Sequence, residues 1–277
     1  MTSPPALEQE GLQVQAFGEA VYRAYGHDFR DYAPTSFRRR VLAAVQAEGL
    51  RTVAELLDKC IDEPDCMERF LSGVSVTVTS MFRDPGFYRT FRAKVAPVLR
   101  TYPLIRIWHA GCSSGEEVYS MAILLHEEGL YERCVIYATD LNESALDRAK
   151  GGILPLPKME GYAEAYREAG GTAALSDYYT ARYGAARMHL WLKKNIVFAR
   201  HNLATDGSLN EFQVVMCRNV MIYFNKSLQS RVHGLIFGSL VRLGYLGLGS
   251  KESLKFSSHE SRYKRIDPSE GLYRRVD

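Results

Sequence analysis

From Ile105 onward the chain alternates short β-branched apolar runs with longer amphipathic ones. That alternation restricts it to a mostly parallel sheet with helices on both faces. Ile105-Arg-Ile-Trp-His-Ala110 reads as a buried strand, residues 116–130 as a helix, and Cys134-Val-Ile-Tyr-Ala-Thr139 as a second strand ending at Asp140. Asn142 is placed to cap a helix running to Lys150. Phe212-Gln-Val-Val-Met216 is another strand, and Asn225 can cap a long helix to about Leu243, followed by a strand over 245–248. Two late runs, 263–266 and 272–276, suit an antiparallel pair.

Ahead of this pattern, about seventy residues read as helices. Phe17, Val21 and Tyr25, preceded by Leu12 and Val14, form one stripe; Phe37, Val41, Leu42 and Val45 a second; Val53, Leu56, Leu57 and Ile61 a third. A short β-branched run, Ser75-Val-Thr-Val-Thr79, leads to Asp84-Pro85, a helix start with a capping side chain and a proline in the first turn, predicting a helix to about Leu99. Residues 151–202 interrupt the βα rhythm. Runs at 188–192 and 196–199, separated by Lys193-Lys-Asn195, read as a hairpin outside the main sheet. The expected organisation is a helical domain over 1–72 and an α/β domain over 73–277, with a small antiparallel excursion at about 151–202.

Composition excludes several classes. The five cysteines are scattered, odd in number and form no CxxC pair, which argues for reduced thiols rather than disulfides or zinc. No HExxH or HxxxH spacing occurs, so no metal is expected. No apolar stretch is long enough to span a membrane and the opening residues do not resemble a signal peptide, so a cytoplasmic chain is expected. A net charge of +3 gives no argument for nucleic acid.

The most informative segment is Ala110-Gly-Cys-Ser-Ser-Gly-Glu-Glu117, which follows one strand and opens a helix. Ligands in such sheets sit beyond the carboxyl ends of the strands. A dinucleotide site would carry GxGxxG with helix amides facing a pyrophosphate. Here Gly111 and Gly115 are present without that spacing, and Glu116 and Glu117 at the helix start would repel a phosphate. A cationic cofactor without phosphates fits better, and S-adenosylmethionine, with a sulfonium and an ammonium, is one. Asp140 is placed to bind ribose hydroxyls. The alternative at this point is a tight glycine loop with Asp140 capping a turn.

With these residues in hand the chain resembles the CheR family of chemoreceptor glutamate methyltransferases. Four stretches carry the likeness: Thr77-Val-Thr-Ser-Met-Phe-Arg-Asp84, residues 110–120, Ala138-Thr-Asp140, and Cys217-Arg-Asn-Val-Met-Ile-Tyr-Phe224. The resemblance implies a Rossmann-like S-adenosylmethionine-dependent methyltransferase domain behind a helical one, with S-adenosylhomocysteine as product. It implies that Thr77, Thr79, Arg83, Gly111, Glu117, Asp140, Asn202, Leu203, Arg218 and Asn219 hold the cofactor. Arg83 would face the transfer site, Glu117 the methionine part, and Tyr223 the methyl group. Arg83 and Tyr223 are assigned as orienting groups. Three departures stand out: Thr77 where the family usually has asparagine, Arg242-Leu-Gly244 where it usually has Pro-Gly-Gly, and a lysine inserted in Ser250-Lys-Glu252.

The implied partner is a methyl-accepting chemoreceptor or a related signalling protein, met by a monomer that is peripheral to the membrane. Arg38-Arg-Arg40 is a candidate contact, although residues 1–70 carry 8 Lys+Arg against 12 Asp+Glu, a net −4, so a solvated face competes with that reading. The excursion matches the small β-subdomain that docks a receptor C-terminal peptide in some relatives. A methyltransferase of another substrate class and a cofactor-binding scaffold without methyl transfer are the alternatives.

Overall fold

A computed structural model of the chain describes residues 6–74, 79–255 and 257–277. Thr77 and the β-branched run up to residue 78 lie outside the described residues. The chain divides into two compact units, the smaller of which joins the N-terminal helices to Tyr223–Arg231.

The smaller unit holds α1 (Ala6–Tyr25), α2 (Pro34–Ala47), α3 (Val53–Asp62) and α4 (Pro64–Val74). The fourth helix was not separable from the third in the sequence: a single residue, Glu63, divides them, and Pro64 starts the new one where its missing N–H costs nothing. The stripes meet in an aromatic core in which Phe29 stacks on Phe37 with ring centroids 5.5 Å apart and Phe17 meets Phe70 edge-on at 4.9 Å. Val14, Phe17 and Val21 are buried as the spacing requires, but Leu12 and Ile61 face outward. Each lies past the arc of its stripe, and Cys60 takes the inward position expected of Ile61. All five cysteines are free thiols.

Two of the three consecutive arginines are engaged inside this unit. Arg38 pairs with Glu10 at 2.9 Å, and Arg40 donates to the Gly73 carbonyl while its guanidinium lies 4.9 Å from the Tyr223 ring centroid. Arg39 is the exposed one of the three.

The larger unit is built on a seven-stranded sheet. Its strands are β1 (Ile105–Ala110), β2 (Cys134–Asp140), β6 (Ile196–Arg200), β7 (Phe212–Cys217), β8 (Leu240–Leu248), β9 (Tyr263–Arg265) and β10 (Leu272–Arg275), in the order β6-β2-β1-β7-β8-β10-β9. The first five run parallel, and β10 and β9 close the sheet antiparallel. The chain leaves β1 in one direction through β2 to β6, then returns to β7 on the other side of β1. The carboxyl end of β1 is therefore the topological switch point, where such sheets bind ligands.

A helical stretch precedes β1: α5 (Pro85–Thr90), a π-type turn at Phe91–Val95, and α6 (Ala96–Leu99). α7 (Glu116–Glu127) and α8 (Glu143–Gly151) follow β1 and β2, and α10 (Lys226–Ser239) precedes β8. The Asn142 and Asn225 side chains cap α8 and α10 by accepting from the amides of Ala145 and Leu228, at 3.0 and 2.9 Å.

Two sequence expectations are corrected. Residues 196–200 do not form a hairpin; β6 lies parallel to β2, because Leu190–Lys193 coils into a 3₁₀ turn that buries Leu192, and Asn195 accepts from the Ile136 amide at 2.8 Å. The excursion's own sheet is β3 (Ile153–Pro155), β5 (Ala185–Met188) and β4 (Tyr179–Arg182), with α9 (Met159–Glu168) between β3 and β4. Nor does the late helix reach Leu243. It ends at Ser239, and β8 starts at Leu240, which is buried opposite Phe212. The register slip between Phe212 and Val214 falls opposite the stretch where Leu243 adopts φ 64°.

One buried carboxylate ties the excursion to the main sheet's helices. Glu127, at the end of α7, accepts from the hydroxyls of Tyr166 and Tyr178 and from the amide and hydroxyl of Thr172, and pairs with Arg92. Burial pushes this carboxyl up, but the bonds from Tyr166, Thr172 and Arg92 outweigh it and hold it below the usual range. Its folded value lies below the unfolded one, so its stabilisation is present above pH ~4.3 and is lost as pH falls through the folded value. Glu127→Ala should cost about 3 kcal/mol at pH 7 by removing the shared acceptor of Tyr166, Tyr178 and Thr172 and one of the two carboxylates paired with Arg92, with the gap to wild type narrowing in acid; urea unfolding at several pH values measures it. Leu243 holds a left-handed conformation that favours glycine, so Leu243→Gly should raise stability by about 0.5–1 kcal/mol, read as a higher urea midpoint at unchanged slope.

Candidate active site

The turn after β1 is shaped by backbone constraints. Gly111 and Gly115 have φ of 82° and 92°, and a Cβ on Gly111 would come within 2.5 Å of a Val220 methyl. The amides of Gly111 and Cys112 both donate to the Thr139 carbonyl at 2.8 Å, and the Ser113 amide donates to Asp140 Oδ2 at 2.8 Å. Asp140 Oδ1 accepts from the Asn142 amide at 2.9 Å. The Leu141 amide adds to these two, so the carboxylate is held by main chain alone and keeps lone-pair capacity for a ligand hydroxyl. Burial pushes the Asp140 carboxyl up, opposed by those amides.

Beside the turn lies a chain of buried charge. Arg218, just after β7, is buried, with only 1% of its side chain exposed. Its Nη1 donates to Glu117 Oε2 at 2.9 Å, and its Nη2 to Asp84 Oδ2 at 2.7 Å and to the Arg83 carbonyl at 3.1 Å. The guanidinium also lies 4.4 Å from the Phe87 ring centroid. Glu117 Oε1 meets His109 Nδ1 at 3.1 Å. Burial alone would raise the Glu117 carboxyl, but the Arg218 charge and the His109 bond hold it below the usual range, so it is ionised at neutral pH. Asp84 is not the capping residue its sequence position suggests. It sits at φ 57° and makes no side-chain cap, because its carboxylate is turned toward Arg218.

The loop carrying Arg218 and Asn219 is organised by a residue absent from the sequence-based site list. The Glu252 carboxylate accepts four amides, from Asn219 and Gly249 at 2.7 Å, Met221 at 2.8 Å and Val220 at 2.9 Å. It thereby fixes Asn219 at φ 61°, where Gly249 passes too close for any side chain: a Cβ there would lie 2.8 Å from the Asn219 nitrogen. The Ser250-Lys-Glu252 signature pointed to this loop, but its acceptor role needs the three-dimensional approach of residues 219–221.

Asn202 and Leu203 follow β6, and the His201 amide donates to the Asp140 carbonyl at 3.1 Å, which places them beside the end of β2. Asn202 Oδ1 accepts from the Ala204 amide at 2.9 Å, and Leu203 is buried. Thr79 is half-buried. Arg83 and Asp84 line an open cleft of about 570 Å³ whose far wall is α9, with Lys158, Tyr162 and Glu164. Tyr223 belongs to the helical unit, where the Ala33 amide donates to its carbonyl at 2.8 Å. Cys112 and Cys217 are buried, and burial pushes both thiols well above their usual range, so neither is a ready nucleophile.

Comparison with known families decides the assignment. Residues 77–270 match the CheR methyltransferase SAM binding domain, and residues 13–75 match the CheR methyltransferase all-alpha domain. The chain belongs to the CheR methyltransferase family. Cher3 of Pseudomonas putida is 47% identical over 95% of this chain and 97% of its own length. A chemotaxis protein methyltransferase of Listeria monocytogenes is 30% identical over 90% of this chain and 92% of its own. Chemotaxis protein methyltransferase 2 of Pseudomonas aeruginosa is 28% identical over 88% of each chain. Membership confirms the expected architecture: an all-helical domain ahead of a Rossmann-like S-adenosylmethionine-binding domain with an antiparallel subdomain inserted.

The residues present fit the family's cofactor. Asp84 and Glu117 meet one guanidinium, Asp140 ends the neighbouring strand on main-chain amides, and no GxGxxG cradle is present. That donor set suits an ammonium, a sulfonium and ribose hydroxyls and opposes a pyrophosphate. Glu252→Ala would leave four buried amides unpaired. It should lower stability by about 2–4 kcal/mol and weaken S-adenosylhomocysteine binding, measured by urea unfolding and calorimetry; unchanged values in both would contradict the role given to it.

Proposed function

We propose that this chain transfers a methyl group to glutamate side chains of a chemoreceptor-like signalling protein, giving glutamate methyl ester and S-adenosylhomocysteine. The observation that carries this reading is buried Arg218 shared between Glu117 and the more exposed Asp84: two carboxylates around one guanidinium leave a negative charge that a cationic ligand balances. S-adenosylmethionine supplies the methyl group on an electrophilic sulfonium.

In this reading Thr77, Thr79, Arg83, Gly111, Glu117, Asp140, Asn202, Leu203, Arg218 and Asn219 hold the cofactor. Glu117 takes the ammonium, Asp140 the ribose, and Leu203 the adenine side. The acceptor needs no general base, because a glutamate with a pKa of about 4.3 is ionised at neutral pH and its oxygen attacks directly. Opposite charges cancel along the reaction, so a strong positive field would favour the ground-state carboxylate over the transition state. Alignment and exclusion of water are the chain's contributions, and holding two reactants in register supplies up to about 7–11 kcal/mol in favourable cases. Arg83, in the cleft facing α9, orients the acceptor, and Tyr223 is assigned as the second orienting group.

The acceptor is assigned to the helices of a methyl-accepting receptor rather than to RNA, since neither the net charge of +3 nor any aromatic, basic platform in the sequence favours a nucleic acid. β3 and β4 are the outer strands of the small sheet, and an extended receptor C-terminal peptide would add there as a further strand. The enzyme is assigned as a cytoplasmic monomer working at the membrane without entering it. Among the described residues no helix is long and apolar enough to cross a membrane.

Labelled methyl transfer tests the reading. Receptor signalling domains from the same genome should gain base-labile methyl esters, RNA should gain none, and Arg83→Ala should lower turnover by about 100-fold or more. Cofactor binding with no transfer to any receptor would favour a scaffold instead, and full turnover in Arg83→Ala would remove that residue from the mechanism.

A further inference from the structure

We infer that His109 is a positioning residue for the amino-acid end of the cofactor, holding the Glu117 carboxylate against the pull of Arg218. The inference rests on the cofactor reading of Glu117 given above. His109 lies near the carboxyl end of β1, and its side chain is 1% exposed. Glu117 is ionised and can only accept, so the imidazole proton is on Nδ1 and is donated across the 3.1 Å contact to Oε1.

The geometry gives this bond a purpose. A guanidinium and a carboxylate favour two parallel N–H···O bonds. Here Arg218 reaches Glu117 through Nη1 alone, at 2.9 Å, and its Nε has no partner among the described residues. Glu117 is thus held by two different donors, one on each oxygen, with a lone-pair direction left on each for an ammonium. Remove the imidazole donor, and Oε1 is free to rotate toward the guanidinium. The carboxylate then turns away from the ligand and its charge is more fully neutralised.

A packing role alone does not account for a histidine here. Its Nε2 is buried with no partner among the described residues, which is an uncompensated desolvation cost that an apolar side chain of similar size would not incur. The sequence offered no signal for this role, because the contact joins a strand residue to a helix residue across the glycine turn.

The test compares His109→Asn, whose amide N–H falls where Nδ1 sits, with His109→Leu, which fills the space without a donor. S-adenosylhomocysteine is titrated calorimetrically into wild type and both variants, and each protein is melted without ligand. The expected result is affinity within about threefold of wild type for His109→Asn and a loss of about tenfold or more for His109→Leu, with unliganded melting temperatures that do not follow the same order. If His109→Leu does not fold, His109→Ala is judged by the same standard. Wild-type affinity in the donor-free variant, or an equal loss in His109→Asn, overturns the role of His109 and leaves the cofactor reading intact. A wild-type protein that fails to bind S-adenosylhomocysteine sinks the cofactor reading and this inference together.

Discussion

A single buried guanidinium organises the larger unit's ligand end. Arg218 has 1% of its side chain exposed and is bonded to two carboxylates and a carbonyl from segments more than 100 residues away. An isolated charge at such a position would be prohibitive, and even a paired one is retained only where its geometry is well satisfied. Satisfying Arg218 therefore fixes the loop before α5, the first turn of α7 and the segment after β7 relative to one another. Glu252 completes the arrangement by occupying four amides of the same segment and its neighbour.

The same constraint links architecture to chemistry. The parallel strands bring β1, β2 and β7 side by side, and the change of direction at β1 opens the crevice. What lines that crevice is mostly carboxylate and main chain, with glycine at position 111 because Val220 leaves no room for more. Such a site stabilises cationic and hydroxyl-bearing groups and repels phosphates. The Asp84 end of the ion chain faces the cleft walled by α9, so the cofactor crevice and the cleft are joined by one set of fixed charges.

Much of this was legible in the sequence. The alternating runs marked β1, β2 and β7, and Asn142 and Asn225 announced their helices, because both signals are local. The glycine turn with its two glutamates, and Asp140 at the end of a strand, are legible in the sequence as neighbours at the carboxyl ends of β1 and β2, because they too are set locally. What escaped depends on distant pairing. Ile196–Arg200 carries the same apolar pattern whether it folds into a hairpin or lies along β2, and only the partner strand decides. Leu240 is as compatible with a helix end as with a strand start until Phe212 lies opposite it. Asp84 precedes a proline and so reads as a cap, yet the charge of Arg218, 134 residues away, outcompetes a backbone amide for its carboxylate. The Ser250-Lys-Glu252 signature marked its loop but not the acceptor role of Glu252, and His109 gave no signal, since the partners of both are set by tertiary approach.

The most direct test of the central claim is a crystal structure with S-adenosylhomocysteine diffused in. The account predicts the ligand beyond the carboxyl end of β1, with its amino group within hydrogen-bond distance of the Glu117 carboxylate, its ribose hydroxyls at Asp140, and the Arg218 bonds to Glu117 and Asp84 intact. A ligand bound elsewhere, or a crevice that accepts a dinucleotide while rejecting S-adenosylhomocysteine, would contradict it.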